Sequence, residues 1–393
     1  MKIAQIAPPW ISVPPQYYGG TENVIYNLVE ELVALGHDVT LFAPKDACTS
    51  ARHISFIPKS LLSEGVPWQA NLKAYYHLHK SLEYTFEHHF DIVHNHLSSS
   101  ADMYIFPLAA ALTKPHVTTL HGRFPFDKAF DSWIGDADNY FMDWAQRVPL
   151  VASSESARMQ VAYPTHFVGT VHNGIRMRDY ASTCTDPEDY FVWLGRFSPE
   201  KGAHLAIEAA RQAQVPLILV GVRNQHDQDS LQYYQHMIEP YIDGKQIRYI
   251  GPISTNQKID LLSHARALLN PVEWEEPFGM IQIEAMATGC PVIAFARGAA
   301  PEIIAHGLTG FLAYDMQDMV RFIAQVDEID RNKVREYAAR HFSARTMAEN
   351  YLRIYANVIT AHAFTDVVAA HIHTAPLSDI QAEDPRDILS AQH

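Results

Sequence analysis

Short apolar runs alternate with longer stretches of helical periodicity, and the whole pattern occurs twice; no other feature of the sequence limits its fold as much. Runs at 2–7, 38–43, 91–94, 116–120, 150–153 and 166–171 read as strands. Between them 21–36, 71–89 and 99–112 read as helices, the first with Thr21 as its N-cap and Gly36 as its stop. The pattern restarts at 190–194, 216–221, 246–250, 267–270 and 291–296, with helices over 203–214, 256–264 and 280–288. Apolar strands joined by helical crossovers build parallel sheets covered on both faces. With 393 residues, too many for one ordinary core, an α/β chain of two doubly wound domains is expected. The polar stretch 173–189 breaks the apolar pattern and carries the boundary. Beyond Asp315 the chain reads as helical to about residue 362, and the polar, acidic residues from Thr374 onward read as a loose tail.

Charge narrows the partners. Thirty Lys and Arg against 44 Asp and Glu leave a formal charge of −14, a surface that repels nucleic acid. Cys48, Cys184 and Cys290 offer neither disulfide framework nor metal spacing, which suits a reducing cytoplasm. No run reaches the ~20 apolar residues of a membrane helix, and the N-terminus reads as a buried strand rather than a signal peptide. Peripheral membrane contact stays open.

Four motifs carry chemistry. The first is Trp274-Glu-Glu-Pro-Phe-Gly-Met-Ile-Gln-Ile-Glu284, where Gly279 and Met280 open a helix. Free amides at a helix N-terminus receive a phosphate. Glu284, one turn inside, suits a ribose diol, and Glu276, in front of the helix, suits sugar hydroxyls. Glutamates on a helix are commonly just solvated, but the Pro-Phe-Gly turn and the Ala-Thr-Gly-Cys-Pro-Val strand entry weaken that reading. The second is Leu194-Gly-Arg-Phe-Ser-Pro-Glu-Lys-Gly, which sets Arg196 and Lys201 across a turn after a strand. Fixed cations there would neutralise the charge that gathers on a leaving diphosphate. The third, Tyr18-Gly-Gly-Thr-Glu, puts Gly19 and Gly20 between the first strand and the first helix, where backbone amides approach an anion or a hydroxyl. The fourth, Thr119-Leu-His-Gly-Arg, brings His121 out at a strand end. No dinucleotide fingerprint or P-loop is present. His94-Asn-His96 lacks a third metal ligand at convincing spacing and reads as structural or cleft-lining. Asp136-Ala-Asp138 lacks the strand context of a metal-binding D-x-D.

These motifs resemble family 4 of the retaining glycosyltransferases, of the GT-B fold, with Glu276 and Glu284 in its E-x7-E arrangement. The resemblance covers roughly residues 1–360. The opening Ala7-Pro-Pro-Trp and Tyr18-Gly-Gly-Thr-Glu look closest to an antibiotic-biosynthetic branch. It implies an acceptor-side domain at 1–172, a nucleotide-sugar domain at 173–342, a helix over 343–363 returning to the first domain, and a tail at 364–393. By position, Glu276 would contact the transferred hexose, Glu284 the ribose, and the backbone of Phe278, Gly279 and Met280 the sugar and β-phosphate. Arg196 and Lys201 would bind the diphosphate, Gly19 and Gly20 would lie against phosphate and acceptor, and His121 would contact the donor sugar. His121, Arg196, Lys201 and Glu276 are thus the catalytic set.

Smaller matches are His172-Asn-Gly-Ile as an interdomain segment with a turn at Asn173 and Gly174, Ser154 as a cap, and Gly298-Ala-Ala-Pro-Glu302, where Ala299 replaces a usual second glycine. That replacement puts in doubt any backbone contact requiring glycine. The expected activity is metal-independent, front-face transfer of a hexose from a UDP-, GDP- or ADP-sugar to a small-molecule or glycan hydroxyl, with no cofactor. The other readings are a sugar-nucleotide epimerase and a non-catalytic nucleotide-sugar-binding protein. Phe124, Phe126, Phe130, Trp133, Tyr140, Phe141 and Trp144 are read as core packing ahead of an acceptor platform.

Overall fold

The computed structural model describes residues 1–374 apart from 17–18, 69, 99–101, 103, 123–136, 162–163, 181–185 and 224–227. Lys2–Ile6 (β1), Asp38–Phe42 (β2), Arg52–Ile54 (β3), Ile92–Leu97 (β4), His116–Leu120 (β5), Leu150–Ala152 (β6) and Phe167–Thr170 (β7) form a seven-stranded sheet in the order β3-β2-β1-β4-β5-β6-β7. Phe191–Leu194 (β8), Leu217–Val220 (β9), Ile247–Tyr249 (β10), Leu268–Asn270 (β11), Val292–Phe295 (β12) and Gly310–Ala313 (β13) form a second, in the order β10-β9-β8-β11-β12-β13. Every pairing is parallel. Both sheets are doubly wound, and each reverses its strand order once: between β1 and β4, and between β8 and β11. Ligands of such sheets bind beyond the strand ends at that reversal.

Two edge strands were not expected from the sequence. β3 is only Arg-His-Ile, with a single apolar residue, and β13 is the four-residue Gly-Phe-Leu-Ala, whose apolar part is only three residues long. β4 extends three residues past the expected end because His94, Asn95 and His96 are buried within it. Burial of such groups is tolerated only with hydrogen-bond partners. The first helix runs Gly20–Ala34 and is capped by Gly19 without a side-chain bond, so Thr21 is not the N-cap but lies in the first turn.

The chain crosses between the sheets twice, and the crossings bond to each other. Ile175 N–H donates to Phe342 O over 2.9 Å, and Ala344 N–H to Ile175 O over 2.7 Å. Gly174 N–H faces Met347 Sδ at 3.1 Å, so Asn173 and Gly174 form part of this junction. The helix Ala344–Thr374 lies against the first helix and the first sheet, burying Met347, Ala348, Tyr351 and Tyr355. Met347 alone contributes about 2 kcal/mol by leaving water. This helix continues past residue 363, because Phe364 through Thr374 contain no helix breaker before Pro376. Residues 375–393 lie outside the described chain.

Candidate active site

The loops at the two strand-order reversals face one another across a cleft of about 420 Å³. Its second-domain wall is stitched from two loops. After β8, Trp193 Nε1 donates to Lys201 O over 3.1 Å and fixes that backbone. Gly202 has φ +68°, and a Cβ there would meet Pro271 O at 1.9 Å, so only glycine lets this turn close onto the loop after β11. Glu273 N–H completes the seam by donating to Glu200 O over 3.0 Å.

The seam brings Lys201 to Glu276, whose carboxylate accepts from the Lys201 ammonium. Both side chains are mostly buried, and the ammonium also lies 5.4 Å from the centre of the Trp274 ring. Behind them the helix Met280–Ala287 starts at Gly279 and points its first-turn amides at the cleft. Glu284 is 6% exposed and accepts from Lys258 Nζ at 2.7 Å and from the Tyr180 hydroxyl at 3.1 Å. Burial, reinforced by the Glu284 carboxylate, holds Tyr180 protonated, well above its ordinary range. Arg196 stands at the mouth, more than half exposed, with Glu200 at 3.9 Å. Phe278 lines the cleft but packs its ring toward His172 and Phe342 at 5.8 and 6.1 Å, so its side chain belongs to the core.

A buttress fixes this wall from behind. Gly298 has φ +55°, and a Cβ on it would stand 2.5 Å from both Glu276 N and Glu276 O. Ala299, the departure from the usual glycine, has φ −80° and donates its N–H to Glu276 O over 3.0 Å. The contact survives because the residue needing glycine is Gly298, not Ala299. Glu302 bridges to the first domain, accepting from Glu155 N–H at 2.9 Å, Ser156 N–H at 2.7 Å and His172 Nε2 at 2.9 Å. Burial pulls this carboxyl upward, but His172 and the two amides outweigh it, leaving Glu302 below its ordinary range. Ser154 caps the Glu155–Met159 helix and also donates to Pro277 O over 2.6 Å, joining the domains.

The first-domain wall contains Gly19, Gly20, Glu22, Trp68, Ser98 and His121. His121 follows β5 and donates its backbone N–H to Leu97 O over 2.9 Å. Burial drives its imidazole down to about 3, so the ring is neutral. Glu22, 3% exposed, is pushed up to about 8 by burial, with Asp102 adding to the shift. Trp68 packs 4.6 Å from the fully buried Trp10.

All ten residues expected from the motifs line this one cleft: Gly19, Gly20, His121, Arg196, Lys201, Glu276, Phe278, Gly279, Met280 and Glu284. His94 and His96 do not line it; they are buried in β4. Lys258, Tyr180 and Trp68 had no sequence signal, since each lies outside the four motifs; Glu22 closes the Tyr18-Gly-Gly-Thr-Glu motif but carried no expected role, an acidic residue being ordinary in a first turn. Phe141 is core and Trp144 packs against it, while 124–136 lie outside the described residues, as does Asp136 of the D-x-D look-alike. Among the described residues no helix is long and apolar enough to cross a membrane.

Two family models match end to end: "Glycosyltransferase Family 4" over residues 18–178 and "Glycosyl transferases group 1" over 182–341. Spore coat protein SA of Bacillus subtilis (strain 168) is 22% identical, the match covering 90% of this chain and 99% of the relative. AviGT4, a glycosyltransferase involved in avilamycin A biosynthesis, superposes with a TM-score of 0.66 at 22% identity, covering 91% of this chain and 98% of its own. Anabaena HepE, solved with UDP and glucose, gives a TM-score of 0.63 at 20% identity, covering 90% and 98%. The two facing domains therefore have the GT-B fold.

Proposed function

We propose, for a chain that belongs to the family 4 glycosyltransferases, that it moves a hexose from a nucleoside-diphosphate sugar to a hydroxyl acceptor with retention of anomeric configuration. The observation that carries this reading is the convergence of the Gly279 helix N-terminus, Lys201, Glu276 and Glu284 on one wall, opposite His121. That wall supplies amides and cations for a diphosphate, and carboxylates for ribose and hexose hydroxyls. Anabaena HepE holds UDP and glucose, which supports a nucleotide-sugar as the ligand class here.

Reaction on one face needs little acid–base machinery. The C1–O bond to the β-phosphate breaks with its electron pair leaving on the phosphate. The acceptor oxygen bonds C1 on the same face, and its proton passes to the leaving phosphate oxygen. Arg196 and Lys201 stabilise the charge that develops, while Glu276 and His121 hold the sugar as C1 becomes oxocarbenium-like. These cations supply the charge a divalent metal would otherwise bring, so transfer is expected to persist in EDTA. The reaction would run in the cytoplasm, on a UDP-, GDP- or ADP-sugar and a small-molecule or glycan acceptor. Proton NMR of fresh product tests the reading: the donor's anomeric configuration is expected, and an inverted centre overturns it. Isomerised donor without an acceptor would instead make the chain an epimerase.

A further inference from the structure

Behind His121 the buried polar residues stand in single file. His121 Nε2 lies 2.9 Å from His96 Nδ1, and His96 Nε2 lies 2.7 Å from Gln5 Oε1. Gln5 Nε2 donates to the Tyr355 hydroxyl over 3.0 Å. From Tyr355 the file continues to His94 Nδ1 at 2.6 Å, and from His94 Nε2 to Thr119 Oγ1 at 2.7 Å. The members behind His121 are at most 1% exposed, so water does not interrupt them.

Burial keeps His94, His96 and His121 below the range in which a second ring proton binds. A neutral imidazole has one N–H and one lone pair, so each ring passes a direction on to the next. Gln5 is different: one end of its amide only donates and the other only accepts. Its nitrogen is turned to Tyr355 and its oxygen to His96. His96 must then carry its proton on Nε2 to donate to that oxygen, which leaves His96 Nδ1 bare. His121 must carry its proton on Nε2 to donate to His96. His121 Nδ1 is left bare; it is buried and has no hydrogen-bond partner among the described residues, although the residue lines the cleft.

We infer that Gln5, held by Tyr355, is a positioning residue that fixes His121 in the Nε2–H tautomer, leaving Nδ1 to accept from a hydroxyl of the donor sugar. The inference rests on the glycosyl-transfer reading for what His121 meets, but not for its tautomer. It gives the His-Asn-His run of β4 a task at the cleft although neither histidine reaches it. It also ties that task to the last helix: Tyr355 arrives only after the chain has left the second domain. A bare nitrogen repels phosphate oxygens and welcomes hydroxyls. His121 is thereby matched to the sugar and not to the diphosphate.

Two measurements decide it. In the full chain labelled with 15N-histidine, ring spectra report which nitrogen bears hydrogen, with signals assigned by their loss in His121→Gln and His96→Gln. Both rings are expected with protonated Nε2 and bare Nδ1. A protonated Nδ1 on His121 means that the file runs the other way and overturns the inference. Tyr355→Phe removes the hydroxyl that holds Gln5 and touches no substrate. His121 is expected to become a tautomer mixture, with kcat roughly five- to tenfold lower and nucleoside-diphosphate affinity within about twofold of wild type. Unchanged tautomer and kcat in that variant also overturn it. Should Tyr355→Phe fail to fold, the wild-type spectrum alone decides. Absence of transfer by the wild-type chain would instead count against the glycosyltransferase reading and leave the tautomer measurement standing.

Discussion

The two walls of the cleft solve different problems with different chemistry. The second-domain wall is charged: Lys201 against Glu276, Lys258 against Glu284, and Arg196 at the mouth. The first-domain wall is close to neutral although it too holds titratable groups, because burial strips the proton from His121 and puts one on Glu22. Charged groups suit a diphosphate whose charge rises as its bond to sugar breaks. Neutral groups with fixed donors and acceptors suit hydroxyls, where direction matters more than charge. The lesson is that charge pairing, not residue type, divides the labour. Glu284 is nearly as buried as Glu22 but stands against Lys258, whereas burial acts on Glu22 and His121 with no such pair among the described residues.

The comparison breaks most visibly at Lys201. Lys201→Ala should lower kcat/KM by roughly a hundredfold to a thousandfold, the usual result of deleting a group that meets developing charge. Steady-state kinetics with a saturating acceptor check this, and a loss below tenfold would place the diphosphate elsewhere. Glu284→Gln should act mainly on donor binding, raising KM by about tenfold or more at similar kcat, since hydrogen bonds to a carboxylate are worth ~1.5–3 kcal/mol. A fall in kcat at constant KM would contradict its assignment to the ribose.

Gly298 and Ala299 offer a finer test of the buttress. Gly298→Ala forces a Cβ onto Glu276 backbone at a positive φ and should cost about 1–3 kcal/mol of stability, with loss of activity. Ala299→Gly should cost about 1 kcal/mol or less, because that backbone is already ordinary. Denaturant melts of the pair, read together, would expose a reversed ranking.

A further effect, seen only as a pH dependence, concerns the neutral wall. Glu22 is raised from 4.5 to about 8, so the folded chain holds this proton more tightly than the unfolded one. Its contribution to stability is complete below pH 4.5 and is lost as pH rises through about 8. Glu22→Gln should therefore melt near the wild-type temperature at about pH 5 and above it at about pH 9. Parallel pH dependence of the two melting curves would mean that Glu22 is ionised and the wall is charged.

How much of this was readable depends on how far apart in the chain a wall's residues lie. The charged wall comes from two continuous segments, 194–202 and 274–302, whose glycines and prolines mark loops after strands, so most of its residues are apparent as motifs. Lys258 escaped because a lysine in an amphipathic helix looks solvated until Glu284 is seen beside it. The neutral wall draws Glu22 and His121, and the file behind His121 draws His96, Gln5 and Tyr355, from separate segments of the chain joined only by folding. His94-Asn-His96 could be seen as unusual inside a strand, yet its partners lie on β1, β5 and the last helix. The edge strands β3 and β13 were not legible, since Arg-His-Ile holds a single apolar residue and Gly-Phe-Leu-Ala spans only four positions.

Calorimetric titration of UDP, GDP and ADP, and of their hexose conjugates, into wild type, Lys201→Ala and His121→Gln tests the division between the walls most directly. One nucleotide series should bind the wild-type chain. Lys201→Ala should lose affinity for the diphosphate itself, whereas His121→Gln should keep that affinity and lose only the increment contributed by the hexose. Equal losses in both variants, or no binding by any of the nucleotides, would contradict a charged wall for diphosphate facing a neutral wall for sugar.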